Sequence, residues 1–189
     1  MKNGAGFTLV ELLVSVAVLS ILGVIFLVVF SNSLKGGNKA QIVLAIKQNG
    51  QSVLENMDKT IRGADNIICV TNDTLVIEKN GEYTRYYFVA ESSSANGQIQ
   101  QDNPNPEIME ISSDPPTICV PPLIDPVALT DTNTKTGVSV TSGSFTKDKP
   151  AGFKDVITIK FDIAQGVEVT PGTSSVIDPI HFETSIQLR

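Results

Sequence analysis

Glu11 is the only charged residue in the 24-residue apolar run from Phe7 to Phe30. A charge inside a bilayer costs roughly 2.5–3.5 kcal/mol on insertion scales, so a carboxylate in such a place needs a partner. A free α-amino group on a neighbouring chain is one of the few that suit it. Three other groups have residue types worth testing for chemistry. Cys69 and Cys119 are the only cysteines; paired, they would close a 50-residue loop and add roughly 3–4 kcal/mol in the chain-entropy model. A disulfide is the expectation in an oxidising compartment. Two buried thiols are the other reading, because the separation carries no pairing information. No C-x-x-C and no Cys/His metal spacing occurs, so zinc and other metal cofactors are not expected. His181, the only histidine, sits in a strand-like pattern with no nucleophile signal beside it and reads as structural. Asp131 to Gly137 is faintly like a calcium loop, but Lys135 falls where an oxygen ligand belongs and the glycine is displaced by one. An ordinary polar turn explains it. With no G-x-S-x-G, H-E-x-x-H or glycine-rich phosphate loop, no enzyme is expected.

The elements that would hold these residues follow from pattern. At ~1.5 Å per residue, the apolar run reaches roughly 36 Å as a helix, enough to cross a hydrocarbon core of ~30 Å. A secretory signal would be shorter and end in a small-residue cleavage site, whereas Ser31-Asn32-Ser33-Leu34-Lys35 follows here. Lys2 on the short N-terminal side favours an N-in orientation that sends the rest of the chain out, with Lys35 and Lys39 competing from the other flank. Gly36-Gly37, each costing ~1 kcal/mol in a helix, mark an expected bend or local melting. Beyond them Ile42, Ile46, Val53, Leu54, Met57, Ile61 and Ala64 recur at helical steps, opposite Lys47, Gln51, Glu55, Lys59 and Arg62. Phe7 to about Arg62 is therefore expected to be one helix, apolar all round and then one-sided, with Gly63 as its stop.

Strands are expected after it. Leu75–Ile77 and Tyr83–Val89 flank Asn80-Gly81, a strong hairpin signal because both turn positions need positive φ. Residues 91–106 and 125–137 read as loops, Ile108–Ile111 as a short strand, and the prolines 115, 116, 121 and 122 around Cys119 exclude a central strand there. Val138–Val140, Val156–Ile163 and Ile180–Leu188 complete the set; the last two alternate apolar and polar residues. The fold class is α+β, a long N-terminal α-helix packed on a C-terminal antiparallel β-sheet. About 120 residues outside the helix suffice for one small core.

Gly6-Phe7-Thr8-Leu9-Val10-Glu11 resembles the processing and assembly motif of type IV pilins and the pseudopilins of type II secretion. The resemblance implies cleavage by a prepilin peptidase between Gly6 and Phe7, N-methylation of Phe7, and pairing of Glu11 with the N-terminus of an adjacent subunit in a filament. It divides the chain into a leader (1–6), a transmembrane and assembly helix (7–30), the amphipathic half of the helix (31–65) and a β-rich pilin head (66–189). Implied partners are other pilin or pseudopilin subunits, the peptidase, an inner-membrane assembly platform and membrane lipid. The implied place is the cell membrane with the head outside the cytoplasm, then a surface or periplasmic filament. The leader has a single lysine where many members are more basic, and Val28 stands where major pilins often carry proline. The latter, with the long loops, suggests a minor or initiating subunit. The closing stretch Phe182–Arg189 looks more loosely like the end of larger, minor pilin-like proteins. Twenty acids against 14 bases give a net charge of −6, which offers no general attraction to nucleic acid. From a different class, a membrane-anchored binding or adhesin domain that never assembles is the alternative.

Overall fold

A computed structural model describes residues 8–104, 119, 125–149, 151–152, 154–168 and 177–188. The chain separates into two compact units, residues 1–41 and 42–189.

The first unit is carried by α1 (Leu9–Arg62), which continues into the second. Its apolar side chains from Leu9 to Phe30 are all exposed. By length and composition this stretch is able to cross a membrane, and none of its most apolar window is buried. The expected interruption at Gly36-Gly37 is not a local melting: α1 is helical through both residues. Two glycines weaken a helix without removing any N–H donor, and the hydrogen-bonded ladder of a 54-residue helix absorbs that cost.

In the second unit the one-sided pattern does what it should. Ile46, Gly50, Val53, Met57 and Ile61 are buried, while Lys47, Gln51, Glu55, Lys59 and Arg62 stay exposed. The helix stops at Gly63, whose N–H donates to Thr60 O at 3.2 Å. The apolar stripe shares one core with Leu75, Ile77, Tyr86, Phe88 and Ile99 and with Val140, Phe145, Ile157, Phe161 and Ile186.

Those residues lie on two antiparallel sheets rather than the single sheet expected. The first runs β1 (Asn66–Val70), β2 (Thr74–Lys79), β3 (Glu82–Val89), β4 (Gln98–Asp102) and β5 (Val127–Ala128) in chain order. The second is β6 (Val138–Asp148), β7 (Val156–Gln165) and β8 (Ile180–Gln187). Asn80 (φ 53°) and Gly81 (φ 81°) turn β2 into β3 as the Asn-Gly pair requires. On β7 the alternation holds: Ile157, Ile159, Phe161 and Ile163 are buried and Lys160 is exposed. On β8 the pattern holds too, with Ile186 buried and His181, Glu183 and Ser185 exposed.

Three elements escaped the sequence reading. β1 was given no strand, β4 lies inside the expected loop 91–106, and β5 inside the expected loop 125–137. β4 reads Gln98-Ile99-Gln100-Gln101-Asp102, poor in strand formers, yet it pairs with β3 over five residues and buries Ile99 in the core. Tertiary pairing overrides weak propensity here. The expected strand Ile108–Ile111 and the prolines near Cys119 lie outside the described residues.

The first sheet is buried on both faces. On β2, Leu75 and Ile77 point to the main core, while Val76 packs with Cys119, Cys69, Ile68 and Tyr83 in a second, smaller cluster. Beside Val76 in register lies Arg85, itself paired in register with Asp102 of β4. Both side chains are 0% exposed and meet two-point, Arg85 Nε to Asp102 Oδ1 at 2.9 Å and Nη2 to Oδ2 at 2.5 Å.

Candidate functional site

The described part of the N-terminal motif begins at Thr8; Gly6 and Phe7 lie outside the described residues. Thr8 precedes the first helical residue, Leu9, and caps the helix. Its Oγ1 accepts a hydrogen bond from the Glu11 N–H at 3.3 Å, and Glu11 Oε2 accepts one from the Thr8 N–H at 3.1 Å. The Thr8 hydroxyl also donates to Glu11 Oε2, at 3.0 Å. This is the reciprocal capping box of the pattern S/T-x-x-E, and Thr8-Leu9-Val10-Glu11 spells it in the sequence. The spacing alone carries this pattern, and it gives the charge in the apolar run a use inside its own helix as well as toward a partner. A carboxylate in the first turn also faces the positive end of the helix dipole. In this single chain Glu11 therefore has a local use, with its oxygens exposed and Oε1 still open to a further donor.

Cys69 on β1 and Cys119 are joined by a disulfide, with Cα atoms 6.3 Å apart. Cys119, 4% exposed, packs on Val76 at the face of the first sheet that carries Arg85 and Asp102.

His181 is exposed on the outer face of the second sheet. Its Nδ1 lies 2.8 Å from Asp162 Oδ1, across the register pair of β7 and β8, and its Nε2 lies 3.5 Å from Glu183 Oε2. Asp162 is held in turn by the Ser142 hydroxyl at 2.7 Å, and Glu183 Oε1 by Lys160 Nζ at 2.9 Å. The hydrogen bond to Asp162, with that to Glu183, raises the His181 pKa above its ordinary value; the Ser142 hydrogen bond chiefly, helped by His181, lowers that of Asp162. The serine contacts the aspartate and not the histidine, so this is no nucleophile-and-base arrangement.

In the loop 131–137, Asp131 Oδ1 accepts the Asn133 N–H and Asn133 Oδ1 accepts those of Lys135 and Thr136. These oxygens close the loop on its own backbone, as an ordinary polar turn does. Asn49 of α1 accepts the Asp131 N–H at 2.9 Å and ties the loop to the helix. Among the described residues, no group of three or more His, Cys, Asp or Glu is arranged around one metal position.

What the described residues bring together is thus an unburied apolar helix with a capped, acidic first turn, and a disulfide-linked two-sheet head. This defines an α+β chain with an N-terminal membrane-type helix. The family model of the prokaryotic N-terminal methylation motif matches residues 1–27. With the apolar helix that starts inside it, that match supports the type IV pilin and pseudopilin family. No curated protein and no solved structure is similar enough to the chain to match it.

Proposed function

We propose that this chain is a structural filament subunit, a minor pilin or pseudopilin of a type IV pilus-like or type II secretion-like filament. The peptidase cuts it between Gly6 and Phe7, Phe7 is methylated, and the membrane holds the helix until assembly. The observation that carries the reading is the methylation-motif match over residues 1–27, running directly into an apolar helix with no buried face. Such a helix needs either lipid or other helices around it. Membrane first and a bundle of neighbouring helices later supply both. Glu11 then has two successive uses: it caps its own helix, and with its exposed carboxylate it neutralises the N-terminal amine of an adjacent subunit. The head lies outside the cytoplasm, in agreement with its disulfide.

The two uses of Glu11 separate in one experiment. Glu11→Gln keeps a capping-box acceptor at this position but carries no charge, whereas Glu11→Ala loses both. Pairing with an amine requires that both variants are processed, stay in the membrane and fail to enter sheared filaments. If Glu11→Gln assembles like the parent and only Glu11→Ala fails, Glu11 serves its own helix and the inter-subunit pairing is wrong. If both variants enter filaments like the parent, assembly does not depend on Glu11 and the inter-subunit pairing is wrong.

A further inference from the structure

We propose that His181 and Glu183 form a surface chelate for one divalent transition ion of the zinc or copper class, on the outer face of the β6–β8 sheet. The two residues are one apart on β8, so their side chains leave the same face of the strand. His181 Nε2 and Glu183 Oε2 are 3.5 Å apart. An ion ~2.05 Å from each would subtend an angle of about 117° at the metal, close to what a tetrahedral centre requires.

The far atom of each ligand is already held by a neighbour. Asp162 takes the Nδ1 side of the imidazole at 2.8 Å, which leaves Nε2 as the metal-facing nitrogen. That carboxylate–histidine arrangement raises ligand basicity and fixes the ring. Ser142 steadies Asp162, and Lys160 holds Glu183 through Oε1, while Oε2 lies against His181 Nε2, so an ion bound there would take the place of the proton the two share. Both ligands are half exposed, so water completes the coordination. An imidazole with one carboxylate suits zinc or copper, whereas calcium and magnesium prefer sites built of oxygen alone. Two protein ligands make a weak site with exchangeable positions rather than a structural metal centre. Sequence spacing hides it, because the decisive partner, Asp162, comes from another strand.

His181 is the only histidine, so a full-length chain in detergent, prepared without a polyhistidine tag, gives a single imidazole signal. Zinc chloride is titrated in and followed by the Cε1–H and Nε2 resonances and by calorimetry, with calcium chloride as the comparison. The expected result is saturable binding of one zinc per chain with a shift of the His181 resonances and no response to calcium. His181→Gln should abolish it, and Asp162→Asn, with the fold checked by circular dichroism, should weaken it about 10–100-fold. Glu183→Gln should weaken it too. The proposal is overturned if zinc leaves the His181 resonances unmoved, if His181→Gln binds zinc as the parent does, or if calcium produces the same shift.

Discussion

Removing the carboxylate of Asp102 should destabilise the head strongly, because that carboxylate is buried. Arg85 and Asp102 are 0% exposed and meet at 2.9 and 2.5 Å on neighbouring strands. For charge centres about 4 Å apart at an effective dielectric of ~20, the attraction is about 4 kcal/mol. Breaking a buried pair by deleting one member costs about 3–5 kcal/mol, because the surviving ion stays in a low-dielectric site. Against a typical domain stability of about 5–15 kcal/mol, Asp102→Ala would consume about a fifth or more. Replacing both partners with apolar residues of similar size, Arg85→Met with Asp102→Leu, removes the charge and the desolvation penalty together. That double variant should be more stable than Asp102→Ala alone, because it leaves no buried ion without its counter-charge. Urea unfolding of the full chain in detergent, followed by near-ultraviolet circular dichroism, measures this cleanly. The chain has no tryptophan, and its three tyrosines, Tyr83, Tyr86 and Tyr87, all lie on β3 beside Arg85. A loss under about 1 kcal/mol for Asp102→Ala would place the pair in a wetter site than the structure shows. A double variant no more stable than the single one would show that packing, and not charge burial, sets the cost.

Three further outcomes follow from other parts of the head. A Cβ at Gly50 would run into the Phe182 ring, which is stacked on buried Phe161 at 5.3 Å between centroids. Gly50→Ala should therefore lower the urea midpoint, the ~1–3 kcal/mol of overpacking outweighing a helix gain of up to ~1 kcal/mol; Gly36→Ala, with nothing within 4 Å, should not lower it. Cys69→Ser with Cys119→Ser removes a cross-link spanning 50 residues and should cost about 2–5 kcal/mol, read from the same curves with and without reductant. Asp155 accepts a hydrogen bond from Lys147 at 2.8 Å, with Lys149 at 3.9 Å, and its pKa is lowered by the Lys147 hydrogen bond first. A depressed carboxylate adds stability above its unfolded pKa of ~3.9, and that contribution disappears as pH falls through the folded value. Asp155→Asn should thus lower the midpoint at neutral pH and converge with the parent in strong acid, seen in unfolding curves across pH.

The parts of the fold carried by local pattern were legible. The stripe Ile46, Val53, Met57, Ile61 encodes its own burial, Asn80-Gly81 encodes its own turn, and the alternation of β7 and β8 encodes which face is inward. What the sequence hid depends on pairing between distant segments. β4 is glutamine-rich and becomes a strand only because β3 offers it an unpaired edge. The division into two sheets depends on a β6 that continues to Asp148, well past the apolar Val138–Val140, through a stretch rich in Ser, Thr and Gly. The Arg85–Asp102 pair exists only once β3 and β4 have a register. At the site, Glu11 was picked out by its charge, yet its capping partner three residues upstream went unnoticed although the spacing alone would have shown it. Gly36-Gly37 erred the other way: a real local weakness that helical continuity on both sides outweighs.

The central claim is that Phe7 becomes the first residue of the working protein. Mass spectrometry of the N-terminal peptide, from membrane and sheared-surface fractions of cells with an active prepilin peptidase, measures it directly. The filament-subunit account predicts a chain that starts at N-methylated Phe7 in both fractions. An intact Met1 start in those cells, or a cut near Ser33, would contradict it and leave Glu11 with its helix-capping use alone.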